Sequence, residues 1–139
     1  MREFIALLKI VQEIEMVLCS LCHSDPAVYL RPYSGEYLCK NCFLGSIEAR
    51  VRRTISRFEM FEPDSRIALG VSGGKDSLSL LRILAEIEKE FPKAELRAIT
   101  VDEGISGYRD EAIALAKEAS RALGVQHRVV SFKELFGYE

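Results

Sequence analysis

The sequence lacks an excess of charge of either sign, and it lacks a long uninterrupted apolar run. Its 139 residues carry 19 basic and 21 acidic side chains, a formal net charge of −2. This balance gives no global signature of a nucleic-acid-binding protein. Charged residues interrupt the apolar first eighteen residues, which excludes a membrane span or a secretory signal there: Glu3, Lys9, Glu13 and Glu15. No repeat or low-complexity segment appears.

Residues 1–18 instead show apolar side chains at helical spacing: Phe4, Leu7, Leu8, Val11, Ile14 and Leu18. We predict an N-terminal amphipathic helix that packs on the body of the protein or on a partner chain. The length and a hydrophobic content of 48% predict one full domain and a small module.

Cysteine is scarce, but its placement is informative. The four cysteines form two C-x-x-C pairs sixteen residues apart, with none left over: Cys19, Cys22, Cys39 and Cys42. This spacing predicts a structural Zn²⁺ site in a zinc-ribbon module over residues 19–45. Segments 28–30 and 36–38 flank a Pro-Tyr-Ser-Gly turn and predict a hairpin between the pairs. A closed four-thiolate site leaves no position for chemistry, so its role is to fold a segment too small for its own core.

The cysteine spacing has three other interpretations. Disulfides are disfavoured because no secretory signal is apparent. Residues 19–23 also match the C-x-x-C-H haem attachment pattern, which leaves the second pair unexplained. An iron–sulfur cluster on the same four thiolates remains compatible with the spacing.

The most informative segment is SGGKDS at residues 72–77, between an apolar run at 66–71 and an amphipathic stretch from Leu78 to about Glu90. The order is strand, glycine turn, helix. A helix N-terminus offers free N–H groups and favours negative charge, and adjacent glycines let a phosphate approach the backbone. We predict that a phosphate or pyrophosphate binds here through Ser72, Gly73, Gly74, Lys75, Asp76 and Ser77. The alternative is an ordinary glycine-rich turn.

Two common phosphate motifs do not fit this loop. A Walker A motif requires glycine and Ser/Thr where the chain has Leu69 and Asp76, and the dinucleotide fingerprint fails because the glycines lie at 70, 73 and 74. Asp76 would repel a triphosphate unless it caps the helix or holds Mg²⁺. SGGKDS after a strand instead resembles the PP-loop of ATP pyrophosphatases, which cleave ATP between its α and β phosphates.

The remaining sequence alternates between strand and helix. Glu95–Val101 and Val125–Phe132 are predicted strands and Arg109–Leu123 a helix, which makes the domain α/β with a parallel sheet. Ligands of such sheets bind beyond the carboxyl ends of the strands. We therefore expect Asp102 to contact the adenosine part of a nucleotide; the alternative is a carboxylate that opens a loop. His127 is expected to point outward from its strand.

A basic helix is predicted to connect the two domains over residues 46–62, with Ser46 to Phe61 helical. Arg50, Arg53 and Arg57 share one face at i, i+3, i+7 spacing. This face either is simply solvated or contacts RNA phosphates.

The zinc module, the run 66–77, the segment TVDEGISGYRDE at 100–111 and the ending SFKELFGY at 131–138 together resemble the tRNA 2-thiolation enzymes, most closely the archaeal and cytoplasmic type that thiolates the wobble uridine. The resemblance implies a PP-loop (adenine nucleotide α-hydrolase-like, Rossmann-like) domain, of which residues 63–139 are an N-terminal part with an incomplete sheet. It implies ATP-dependent adenylation of the uridine 2-oxygen with Lys75 and Asp76 as catalytic residues, followed by sulfur transfer.

The resemblance also implies three partners: tRNA, ATP with Mg²⁺, and a ubiquitin-like sulfur carrier. It further implies a cytoplasmic location. It implies an iron–sulfur cluster whose cysteines have no counterpart here, so a C-terminal portion or partner subunit is expected to complete the enzyme. We also expect a homodimer and no membrane partner. The alternatives are a non-catalytic zinc-, nucleotide- and RNA-binding fragment, or a nitrogen-delivering PP-loop enzyme such as a lysidine synthetase.

Overall fold

The structure, a computed structural model, describes residues 17–104, 108–132 and 137. The chain divides into two compact units, with the boundary between Arg50 and Val51. Across the described residues no helix is both long and apolar enough to cross a membrane. The helix predicted over residues 1–18 lies outside the described part except at its end. There Leu18 is not helical, because it forms an isolated antiparallel bridge with Pro26.

The first unit contains the predicted hairpin. Strands β1 (Tyr29–Arg31) and β2 (Glu36–Leu38) pair antiparallel, with Tyr29 opposite Leu38. Gly35 takes a φ of +70° in the connecting turn, a conformation that glycine adopts without steric cost. The hairpin lies between the two cysteine pairs, as the spacing predicts.

Helix α1 spans Lys40–Arg57, so the prediction of a helix from Ser46 to Phe61 was wrong at both ends. It begins earlier because the Cys39 thiol accepts a 3.4 Å hydrogen bond from the Cys42 N–H, acting as an N-cap that sulfur rarely provides. It ends earlier because Glu59 has a φ of +47° and the Met60 N–H bonds to the Ile55 carbonyl at 3.0 Å. This pattern is a Schellman C-cap without the usual glycine.

The second unit confirms the predicted α/β architecture. Its elements are β3 (Arg66–Gly70), α2 (Lys75–Glu88), β4 (Glu95–Asp102), α3 (Tyr108–Ala122) and β5 (Gln126–Ser131). The strands form one parallel sheet in the order β3-β4-β5. Parallel neighbours joined through a helix are the expected βαβ arrangement.

The core lies between one face of this sheet and helices α2 and α3. Alternate residues of β4 are buried on that face, whereas Arg97 and Val101 point to the other face and are exposed. The buried cluster consists of Val71, Leu81, Leu84, Ala85, Ile87, Leu96, Ala98 and Ala116. Removal of this apolar surface from water is the main force that holds the helices on the sheet.

The register brings the carboxyl ends of β3 and β4 together. Gly70 pairs with Ile99, and the next N–H along, that of Val71, donates a 2.8 Å hydrogen bond to the Ile99 carbonyl. Residues 72–77 therefore begin beside the end of β4, at the edge where parallel sheets bind ligands.

Candidate nucleotide site and metal centre

The four cysteine thiols of the first unit converge on one point. Their sulfur atoms all lie within 4.8 Å of one another, and the Sγ atoms of Cys22 and Cys39 are 3.8 Å apart. A tetrahedral zinc ion with Zn–S bonds of about 2.3 Å places its sulfurs about 3.8 Å apart. The donor set therefore fits a single ion, whereas an iron–sulfur cluster interposes several atoms and holds thiolates farther apart. No disulfide links the four thiols, and their convergence leaves no separate haem-attachment pair.

The pKa values of the thiols are spread apart. Backbone N–H groups, chiefly that of Cys22, lower the pKa of Cys19 to about 6. Hydrogen bonds with the Cys39 and Cys19 side chains, together with burial, raise the pKa of Cys42 to about 12. Four adjacent thiolates repel one another, so full ionisation of the cluster requires a cation among them.

The small core around the thiols is mostly made of the cysteines themselves. Cys19 and Leu38 are fully buried, Cys39 nearly so, and Phe43 packs on them while its ring lies 4.4 Å from that of Tyr29. A core of this size does not supply the stability of an independent domain, which is why such modules depend on a metal.

The loop at residues 72–77 is organised by its two serines. The Ser77 hydroxyl donates to the Gly74 carbonyl at 3.0 Å and accepts from the Ser72 N–H at 3.2 Å. The two hydroxyl oxygens also lie 3.2 Å apart. Gly74 is the N-cap of α2 in an extended conformation, and no side chain caps the helix. The first N–H groups of α2 are thus left available for an anion.

Gly73 is the glycine that the geometry requires. Its φ is +80°, and an added Cβ would lie 2.7 Å from the carbonyl carbon and 2.8 Å from the Cα of Ala112 in α3. Only a residue without a side chain permits this approach of the loop to the helix. At Gly74 an added Cβ would meet only the Ser72 hydroxyl, at 3.5 Å.

Lys75 and Asp76 both extend into solvent, with side chains 89% and 92% exposed. Their charged groups are 3.5 Å apart, an exposed pair of little energetic weight. Because α2 has no side-chain cap, Asp76 does not cap it, which removes one of the two roles expected of this carboxylate. Both side chains are free to turn toward a phosphate or a cation at the helix N-terminus.

Sequence reasoning missed Thr100, which is 2% exposed. Its hydroxyl donates a 2.6 Å hydrogen bond to the Val71 carbonyl, directly before the phosphate loop. His127 Nε2 lies 2.8 Å from the same hydroxyl, so the prediction that His127 points outward was wrong: it is half-buried and bonded to β4. Burial and nearby Lys117 lower the pKa of His127. The alternation of side chains along a strand could have placed Thr100 and His127 on the same face of the sheet. It could not have predicted their contact.

At the end of β4, Asp102 is half-buried and its Oδ1 accepts a 3.0 Å hydrogen bond from the Gly104 N–H. Asp102 thus forms the first turn of the loop that follows β4, which was the alternative interpretation of this carboxylate. Its contact with adenosine stays a prediction. Glu103 forms a 2.5 Å ion pair with Arg109 at the start of α3. The Arg109 Nε is buried and has no hydrogen-bond partner among the described groups.

The three arginines predicted to contact RNA all lie on α1, but each already has a contact. Arg50 donates to the Tyr33 hydroxyl, Arg57 lies over the Phe58 ring at 5.6 Å, and Arg53 is also engaged. Arg52 forms a two-bond ion pair with Glu90 at 2.7 and 2.8 Å. Contacts within the protein therefore already engage these arginines, so they do not form a free basic face. An RNA contact stays a prediction.

Two family models match the chain, and together they cover both units. A PP-loop domain matches residues 46–136, and the N-terminal LIM domain of the 2-thiouridine synthetase TtuA matches residues 18–44. The first includes the glycine loop at 72–77 and the second includes all four cysteines.

Curated relatives carry the name cytoplasmic tRNA 2-thiolation protein 1. The chain is 36% identical to the protein from Xenopus laevis over 123 residues, 88% of this chain and 36% of that protein. It is 35% identical to that of Debaryomyces hansenii over 122 residues, covering 87% and 32%. The chain thus spans about a third of these relatives' length.

A solved structure described as the U34-tRNA thiolase NcsA from Methanococcus maripaludis with its [4Fe-4S] cluster superimposes with a TM-score of 0.81. It shares 37% identity and covers 90% of this chain, which spans 41% of that protein. The PP-loop match extends over more than half of the chain and includes the glycine loop, whereas the cysteine cluster lies in the LIM-domain match. The chain belongs to the PP-loop domain family.

Proposed function

We propose that this chain is the zinc- and nucleotide-binding portion of an ATP-dependent tRNA uridine 2-thiolation enzyme. The observation that carries the proposal is the glycine loop at the head of α2, held against α3 through Gly73. Support comes from the names of the relatives, which also favour a cytoplasmic location.

In the proposed reaction, the uridine 2-oxygen attacks the α-phosphorus of ATP, an O–P bond forms, and the bond to pyrophosphate breaks. Hydrosulfide, released by hydrolysis of the carrier's thiocarboxylate to a carboxylate, then attacks C2. The C–O bond breaks to release AMP, and the S–H proton moves to N3 to leave the C2=S group. Negative charge accumulates on the departing pyrophosphate, where the free N–H groups of α2 and the Lys75 ammonium would stabilise it. Asp76 would hold Mg²⁺, which when bound neutralises phosphate charge.

The cysteine cluster is proposed to bind one Zn²⁺ in a structural role. A single-ion site with four thiolates has no open coordination position, so sulfur chemistry would occur elsewhere. We propose that a C-terminal portion or partner subunit carries an iron–sulfur cluster and handles the sulfur, with a ubiquitin-like carrier as sulfur donor. We also propose that the complete enzyme is a homodimer.

We propose tRNA as the RNA substrate, with α1 as one contact surface. Arg50, Arg53 and Arg57 would have to exchange their present contacts for phosphates, so each is expected to contribute modestly. Asp102 would contact adenosine through the carboxylate oxygen that is not bonded to Gly104.

The test is mass spectrometry of tRNA nucleosides after incubation with ATP, Mg²⁺ and a sulfur donor. The 139-residue chain alone should make no 2-thiouridine, whereas the chain completed by the remaining portion of a relative should make it. In the completed enzyme Lys75→Ala should abolish the product and Lys93→Ala, an exposed lysine away from the loop, should not.

Thiouridine made by the isolated chain would show that the sulfur chemistry resides here. No product from the completed enzyme would contradict the proposed activity and favour a non-catalytic binding module, since the chain spans only a third of its relatives. Transfer of nitrogen in place of sulfur would favour the lysidine synthetase alternative.

A further inference from the structure

A concave surface of the second unit lies between the C-terminal half of α3 and strand β5. It has a volume of about 530 Å³, and we call it the basic groove. It is lined by two cations, one histidine and two valines: Lys117, Arg121, His127, Val125 and Val129. Its walls contain no carboxylate.

The two cations of the basic groove are one helical turn apart. Lys117 and Arg121 stand at i and i+4 on α3, which places their Cβ atoms roughly 5–6 Å apart on one face. Both are exposed, and within the described part of the chain neither forms an ion pair. Four other basic residues of this unit form ion pairs with acidic side chains: Arg52 with Glu90, Lys89 with Glu86, Arg97 with Glu95 and Arg109 with Glu103.

His127 adds a third basic group, and its tautomer is fixed. The Thr100 hydroxyl donates its only hydrogen to the Val71 carbonyl, so it must accept from His127 Nε2–H. Nδ1 is then the nitrogen that gains a proton, and it has no hydrogen-bond partner among the described residues. The charged groups of the groove that face this ring are Lys117 and Arg121.

Lys117 and Arg121 are like charges one helical turn apart without a counter-ion, so they repel one another, and a bound anion would remove this modest cost. The position of Arg121 in the last turn of α3 suits the helix dipole, but that accounts for neither Lys117 nor His127. We propose that the basic groove binds phosphate groups of the RNA backbone, through Lys117 and Arg121 with His127 as a third contact. The inference rests on the proposed function, which supplies RNA as the polyanion.

The test is the affinity of the purified chain for a fluorescently labelled tRNA transcript, measured by anisotropy over a salt series without ATP. The variant is Lys117→Ala/Arg121→Ala. The matched control is Arg82→Ala/Lys93→Ala, which removes the same charge from exposed positions of the same unit. Each lost phosphate contact should reduce the slope of log K against log salt by about 0.7–0.9. We expect a reduction of about 1.4–1.8 for the groove variant and almost none for the control.

Two further arms sharpen the outcome. RNA affinity of the native chain should rise as the pH falls and His127 gains a proton, and His127→Gln should remove that rise. Polyglutamate should compete far less effectively than an equal charge of unlabelled RNA.

Equal slopes for the groove variant and its control would overturn the proposal, as would effective competition by polyglutamate, which would indicate an acidic protein partner. A pH dependence that survives His127→Gln would remove His127 from the site. Because none of these measurements uses ATP, they can fail while the Lys75 test of thiolation succeeds. A native chain that binds no tRNA would overturn both the groove and the RNA part of the proposed function.

Discussion

The Thr100 hydroxyl donates a 2.6 Å hydrogen bond to the carbonyl of Val71, the last residue before the phosphate loop. The Val71 N–H in turn bonds to the Ile99 carbonyl, so β4 holds both backbone polar groups of Val71. The loop therefore starts from a fixed point in the core. Within the loop, the serine hydrogen bonds and the close approach of Gly73 to α3 then fix the course of the backbone.

Thr100→Val tests this anchor. The substitution keeps the side-chain shape but leaves the buried Val71 carbonyl without its donor, which costs about 1–3 kcal/mol of unfolding free energy. Urea denaturation should show this loss, and affinity for Mg-ATP should fall with it. Thr100→Ser is the control, because it keeps the hydroxyl. Equal stability of the valine variant and the native chain would contradict the anchoring role.

The two loop glycines are expected to differ. Gly73→Ala forces a side chain into a φ of +80° and against the backbone of Ala112, so it should destabilise the chain by about 2 kcal/mol or more and abolish ATP binding. Gly74→Ala has an ordinary φ of −78° and open space, so its cost should stay near 1 kcal/mol or below, about that of a poorer N-cap. Calorimetry with Mg-ATP and thermal unfolding measure both effects. Similar losses in the two variants would disprove the steric argument.

Lys75→Ala should weaken binding of Mg-ATP by about 1.5–3 kcal/mol, the range of a hydrogen bond to a charged group. Lys75 is almost fully exposed, so the fold should not change. Lys93→Ala serves as the charge-matched control. Titration calorimetry that finds the same affinity for both variants would exclude Lys75 as a phosphate ligand.

His127 gives the stability of the chain a dependence on pH. Its pKa is lowered in the folded state by burial and by Lys117, so the unfolded chain takes up a proton first as the pH falls. The contribution of neutral His127 to the free energy of unfolding is complete above about pH 6.5, the ordinary pKa of histidine. It is lost as the pH falls toward the lower pKa of His127 in the folded chain. His127→Gln should flatten the fall in urea midpoint between pH 7 and pH 5.

Metal analysis tests the cysteine cluster. Protein purified without added metal should contain about one equivalent of zinc, as a closed four-thiolate site requires. Cys42→Ser should release the metal and unfold the hairpin, while Ser24→Ala, on the exposed surface of the same unit, should retain both. Iron in place of zinc, or four free thiols without metal in the native chain, would refute the assignment.

Several features followed from the sequence alone because they depend on local chemistry. The C-x-x-C spacing, the alternation of strand and helix and the glycine turn before α2 each reflect interactions between residues a few positions apart. The ends of α1 were not predicted, because the residues that cap them are not the ones that usually signal a helix end. A thiol cap at Cys39 and a left-handed Glu59 are departures from the usual capping residues.

Other features were decided only by tertiary structure. Thr100 and His127 are 27 residues apart in the chain, and Gly73 and Ala112 are 39 apart, so no local pattern links either pair. Parallel pairing of β3, β4 and β5 brings them together, and burial then makes their contacts matter, since a polar group removed from water must find a partner. The sequence predicted which residues would carry the phosphate and metal chemistry. The packing of strand on strand and helix on sheet decided what holds them in place.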